Sequence, residues 1–253
     1  MRILPAVDIK DGKVVRLKQG KADQQTTYGD DPLAVALNWA RLGARRIHVV
    51  DLNGAFDGIP KNRAITLSII KALAGARSVG DGPRCEVQIG GGLRSAESIM
   101  EFLDAGAARC VIGTKALDDL DFLRNLASRY PGRVSIGLDA RAGRLVTKGW
   151  LEASATLATD LIRSFNEMPL GEVIYTDIEC DGMLQGPNLK RLKEMRNACP
   201  FPLIASGGVT TIEHVRSCQE LGCYGAIIGK AFYDGCLELG DAMKAAEDVL
   251  PDG

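Results

Sequence analysis

Two aspartates stand at matched places in this sequence. Val7-Asp8 followed by Gly12 recurs as Leu138-Asp139 followed by Gly143, at a constant offset of 131 residues. Two carboxyl groups facing each other can hold opposite protonation states. One is kept protonated by desolvation or nearby negative charge while its partner stays ionised. Such a pair suits proton shuttling, for example opening of a sugar ring followed by removal of a proton beside a carbonyl or imine. Glycine clusters make a second repeat. Gly90-Gly91-Gly92 and Gly113-Thr114 match Ser206-Gly207-Gly208 and Gly229-Lys230 at an offset of 116 residues. Glycine lets backbone N–H groups approach an anion, and the N-terminus of a following helix adds partial positive charge. Two such cradles predict a ligand with a phosphate at each end.

Other residues could complete a site. Thr176 can hydrogen-bond a substrate hydroxyl or orient a carboxyl group. Asp51 and Asp177 either organise loops or bind ribose hydroxyls. Arg16 and Arg94 could complement a phosphate, and Trp150, after Lys148-Gly149, could stack on a flat heterocycle. The glycine-rich segment Gly182–Pro187 could close over the ligand. His48, inside an apolar run, and His214, on a helical stretch, are the two histidines of the chain, and neither reads as a general base. Acid–base work therefore falls to carboxylates.

These residues need a frame. Eight short, continuously apolar runs read as parallel strands covered on both faces: 2–7, 46–51, 86–90, 109–113, 134–139, 172–177, 203–206 and 226–229. Helical patterns follow them at 32–42, 62–73, 95–105, 117–129, 157–166, 188–197, 210–221 and 239–249. In 253 residues this alternation fits a (β/α)8 barrel, with an open doubly wound sheet as the alternative. The repeats decide for the barrel, because strands one, three and four echo strands five, seven and eight as two similar half-barrels. The expected site is the mouth at the strands' C-terminal ends. One domain is expected over 1–253, with 75–84 a loop on the opposite face.

Composition narrows the partners. Lysine plus arginine number 31 and aspartate plus glutamate 32, for a net charge of −1, which offers no global field for nucleic acid or an anionic membrane. No apolar run reaches the roughly 18 residues of a membrane helix. The opening Met1-Arg-Ile-Leu-Pro-Ala-Val-Asp8 lacks the layout of a secretory leader, so a cytoplasmic protein is expected. Seven cysteines without a C-x-x-C pair suit neither zinc nor a disulfide framework and read as reduced structural thiols.

Taken together, Pro5-Ala-Val-Asp8, Gly12, Arg16, Ile89-Gly-Gly-Gly-Leu-Arg94, Gly137-Leu-Asp139, Lys148-Gly-Trp150, Thr176-Asp177, Asp181-Gly182, Ser206-Gly-Gly208 and Ile228-Gly-Lys230 resemble the phosphoribosylformimino-aminoimidazole carboxamide ribotide isomerase family of histidine biosynthesis. The resemblance runs from residue 2 to about residue 236. It implies an aldose-to-ketose (Amadori) rearrangement of a bisphosphorylated aminoimidazole nucleotide. Asp8 would be the general base at ribose C2 and Asp139 the general acid at the ring oxygen. Thr176 would lie near the reacting hydroxyls, and the glycine pairs would hold the phosphates. No metal or organic cofactor is implied, and a monomer is expected. Residues 78–84 have no counterpart in the pattern. The related cyclase, imidazole glycerol phosphate synthase, usually carries Cys before its first Asp, where this chain has Val7. A dual-substrate relative that also isomerises phosphoribosylanthranilate shares Asp8, Asp139 and Trp150 and stays open as an alternative. A barrel that only binds a phosphorylated ligand would gain nothing from opposed carboxylates. A Schiff-base aldolase would need an interior lysine that none of the strands offers.

Overall fold

The computed structural model describes residues 1–75, 84–113, 119–147 and 152–247. Eight parallel strands close on themselves: β1 (Arg2–Lys10), β4 (Arg46–Asp51), β5 (Glu86–Gly90), β6 (Arg109–Ile112), β7 (Val134–Arg141), β10 (Val173–Asp177), β11 (Leu203–Ser206) and β12 (Gly225–Ile228). The ring is complete because β12 pairs with β1 and β7 pairs with β10. Helices α1 (Pro32–Arg41), α3 (Arg63–Gly75), α4 (Ala96–Asp104), α5 (Leu120–Arg129), α6 (Ala158–Arg163), α7 (Leu189–Ala198), α8 (Ile212–Glu220) and α10 (Leu239–Glu247) follow the strands in turn. The molecule is a (β/α)8 barrel.

Alternation along each strand sorts two environments. Ile3, Val7 and Ile9 of β1, Ile47 and Val49 of β4, and Ile136 and Leu138 of β7 face outward into the main core beneath the helices. Leu4, Ala6, Val111, Ile174, Ile204 and Ile227 face inward and form a separate small cluster. The reading of wholly apolar strands needs correction here. The inward positions also carry His48, Gln88, Ser135 and Thr176, all buried, and a charged layer at the N-terminal end. In that layer Arg46 donates from Nη1 to both Glu172 oxygens, at 2.7 and 2.9 Å, and from Nε to Glu86 at 2.8 Å. Arg46 and Glu172 are each 1% exposed. A run of β-branched residues signals burial on both faces but does not show that one face encloses a narrow polar interior.

Four strands were not expected. β2 (Lys13–Lys18) and β3 (Lys21–Gly29) form a hairpin after β1, and β8 (Arg144–Thr147) with β9 (Glu152–Leu157) forms another after β7. β3, Lys21-Ala-Asp-Gln-Gln-Thr-Thr-Tyr-Gly29, shows no helix or buried-strand pattern, whereas β2 and β8 are short and bury Val14, Val15, Leu17, Leu145 and Val146. The hairpins exist because β1 and β7 run past the barrel rim and offer a free edge. Two short helices, α2 (Leu52–Asp57) and α9 (Lys230–Tyr233), cap β4 and β12 at the mouth. All seven cysteines are free, and burial pushes the Cys110, Cys218 and Cys223 thiols up to about 12. Among the described residues no helix is long and apolar enough to cross a membrane.

Candidate active site

Asp8 and Asp139 occupy inward positions near the C-terminal ends of β1 and β7, and both line one cavity of about 240 Å³ at the mouth. The overrunning strand β2 brings Arg16 beside Asp8. Their ion pair measures 2.6 Å between Nη1 and Oδ2, with side chains only 11% and 15% exposed. Burial raises the Asp8 pKa, and Arg16, by charge and hydrogen bond, works against that rise. Asp8 is thus a carboxylate made more basic than usual yet held ready by one cation. Across the ring, Thr176 of β10 is in register with Asp139 on one side and Ser206 of β11 on the other. All three line the cavity.

Two further groups enter the cavity without having been singled out from the sequence. Asp181, in the loop after β10, has its pKa lifted to about 6, chiefly by burial. Arg16 opposes that rise, while the charges of Asp8 and Asp139 add to it. It was visible only as part of the Asp181-Gly182 motif. Its distance in sequence from the strand end hid its place in the mouth. His48 lines the floor, and burial, with Arg16 adding to it, lowers its pKa to about 4. It is a neutral imidazole at physiological pH, and nothing in the sequence marked its position in the mouth. Leu52, Ala55 and Phe56 of α2 supply an apolar wall.

The glycine cradles flank this cavity. Gly91 and Gly92 have φ of +95° and +72°, and Gly207 and Gly208 have +93° and +85°. A Cβ on Gly92 would come within 2.7 Å of the Gly54 backbone, and one on Gly207 within 2.7 Å of the Asp177 carbonyl. Both conformation and space therefore demand glycine at these positions. Helices α4 and α8 begin just beyond, capped by Ser95 and Thr211, whose side chains accept from Ser98 N and His214 N. Gly91, Gly92, Gly113 and Arg94 border the main cavity. Gly207, Gly208, Gly229, Lys230 and Arg16 border an adjoining hollow of about 20 Å³. Lys230 donates to Tyr28 Oη at 3.2 Å and pairs with Asp234, which accepts from Tyr28 at 2.5 Å. The Arg16 guanidinium lies directly against Gly229, between the carboxylate and this glycine turn.

Of the two roles open to Asp177, its hydrogen bonds are those of a loop organiser. One of its oxygens accepts from Glu179 N at 3.0 Å and the other from Asn188 Nδ2 at 3.0 Å. Asp51 does the same work, accepting from Gly54 N and from Asn62 N and Nδ2. The segment Gly182–Pro187 is tied down, because Gly186 N donates to the Gly208 carbonyl at 3.1 Å. Thr114 and Trp150, together with Lys148, Gly149 and residues 76–83, lie outside the described residues.

Fold and mouth together define a class: a barrel of two like halves whose strand ends carry one carboxylate pair between two glycine turns. Known proteins narrow the class. A family model described as histidine biosynthesis protein matches residues 2–238, and the chain belongs to that family. A relative from Chromohalobacter salexigens is 43% identical over 253 residues, 99% of this chain and 98% of its own length. One from Hahella chejuensis is 42% identical across 98% of this chain and 100% of its own. One from Acinetobacter baylyi is 43% identical across 96% and 97%. All three are named 1-(5-phosphoribosyl)-5-((5-phosphoribosylamino)methylideneamino)imidazole-4-carboxamide isomerase.

Proposed function

We propose that this chain catalyses the aldose-to-ketose isomerisation for which its relatives are named, acting on the aminoimidazole carboxamide nucleotide that carries two phosphoribosyl groups. The observation that carries the reading is the meeting of Asp8 and Asp139 in one cavity, with one glycine cradle on its border and the other on an adjoining hollow. Each phosphate sits on one cradle. The first is received by Gly91, Gly92 and Gly113 with Arg94, and the second by Ser206, Gly207, Gly208, Gly229 and Lys230. The reacting ribosylamine is then stretched between the carboxyl groups.

Asp139 gives its proton to the ribose ring oxygen as the C1–O bond breaks, and the nitrogen lone pair closes a C1=N double bond. Asp8 takes the proton from C2, the C–H electrons form a C1=C2 double bond, and the C1=N π pair returns to nitrogen, giving an enaminol. The enaminol gains a proton at C1 and loses the one on its 2-hydroxyl, leaving a ketone at C2 and an isomer of the starting material. Thr176, beside Asp139 in register, hydrogen-bonds the hydroxyls and steadies the acid. Arg16 keeps Asp8 ionised against a burial that strengthens it as a base. The reaction needs no electron acceptor, and the residues supply both proton transfers.

The relatives named above point to the imidazole carboxamide substrate, and the reading commits to it. Purified protein is to be assayed with that nucleotide and with phosphoribosylanthranilate. Turnover of the first alone is expected, and comparable turnover of both would replace this reading with the dual-substrate one. Turnover retained in both Asp8→Asn and Asp139→Asn would remove the carboxylate mechanism.

A further inference from the structure

Behind the cavity floor lies a buried amide that the mechanism has not used. Gln88 of β5 is the register partner of His48 of β4, and the alternation of both strands turns the two side chains into the barrel. Gln88 is 0% exposed and does not line the cavity, which His48 itself reaches. Neither amide atom of Gln88, nor Nδ1 of His48, closes a hydrogen bond of ordinary geometry. Gln88 works against the burial that lowers the His48 pKa, as an amide oxygen does when it accepts from a ring N–H. On the other side of His48 its register partner is Ala6 of β1, which has no polar side chain.

A neutral imidazole has one N–H and one bare nitrogen, and the partner of either nitrogen decides the role of the other. With His48 neutral at physiological pH, what it offers the cavity depends on its tautomer. We propose that Gln88 is a positioning residue, accepting from Nδ1–H of His48 and so presenting Nε2 to the substrate hydroxyls as a bare acceptor. The inference rests on the mouth being the site of isomerisation.

The chain has only two histidines, so ¹⁵N-histidine NMR, assigned with His214→Gln, reads the tautomer directly and without substrate. The Nδ1–H form is expected for His48 in the wild type, and a mixture in Gln88→Leu and in Gln88→Met, which fills the volume if leucine does not fold. Steady-state kinetics should show kcat lowered about tenfold with KM within twofold. The loss should vanish when His48 is already leucine. An unchanged tautomer in the Gln88 variants, or a kcat loss that persists in the His48→Leu background, overturns the proposal. Turnover retained by Asp8→Asn would instead sink the reading of the mouth, without touching the NMR result.

Discussion

The two half-barrels share a scaffold and differ in their chemistry. Asp51 and Asn62 recur as Asp177 and Asn188 at equal spacing, and in both halves the asparagine amide donates to the aspartate, at 2.7 and 3.0 Å. The glycine pairs share their left-handed backbones, and the following helices share a hydroxyl cap. Symmetry breaks inside the cavity. Asp181 lies as far beyond Asp177 as Ala55 lies beyond Asp51, and both line the mouth. Arg16, paired with Asp8, has Thr147 at its matched position. Positions that close loops stayed alike because both halves must be built, whereas inside the cavity Arg16 and Asp181 have no like residue in the other half.

The largest effects are expected at the carboxylate pair that stayed symmetric. Asp8→Asn and Asp139→Asn should each lower kcat by roughly 10³-fold, within the range for loss of a positioned acid or base, with KM changed little. Steady-state assays of both variants check this, and a large loss in one alone would show that a single half does the chemistry. Next comes the matched scaffold pair. Asn62 is 6% exposed and also bonds Asn53 and Gly12, whereas Asn188 is half-buried with fewer partners. Asn62→Ala should therefore cost about 3 kcal/mol and Asn188→Ala about 1 kcal/mol, read from urea unfolding.

Asp181 tests the break in symmetry. Its pKa of about 6 lies above the usual 3.8, so between these values the native state binds more protons than the unfolded chain. The stability this contributes is complete below about pH 4 and is lost as pH rises through 6. Asp181→Asn, always neutral, should be more stable than wild type at pH 8 by on the order of 2 kcal/mol. The gap should close by pH 4, while activity falls. Thermal unfolding at the two pH values checks the sign. The smallest effects should be equal across the halves: Ser95→Ala and Thr211→Ala each remove one helix cap and should cost about 1 kcal/mol. Unequal costs would show that one cap also serves its cradle.

Much of this was legible from residues alone. The offsets of 131 and 116 residues marked Asp8, Asp139 and both cradles, because a duplicated turn keeps the glycines its backbone demands. Asp177 was marked only by its place at a strand end, which left loop organiser and ribose ligand both open. A strand-end carboxylate looks the same whether it meets solvent, ligand or its own loop, and only the bonds to Glu179 and Asn188 tell which. His48 and Gln88 were hidden inside apolar runs, since alternation says which residues share a face but not that the face encloses a polar interior. The hairpins were hidden because β3 is polar and β2 and β8 are short, so their own pattern does not show that they pair with the edges of β1 and β7.

Sequence by itself determined that eight strands alternate with eight helices, that the unit is doubled, and that acids and glycines fall at strand ends. These are local matters of spacing, backbone preference and repetition. Tertiary structure alone decided which charges meet: Arg16 on Asp8, Asp181 between two other acids, Arg46 on Glu172. Burial and distance set the strength of such pairings, and both arise only when strands far apart in the chain close into one ring.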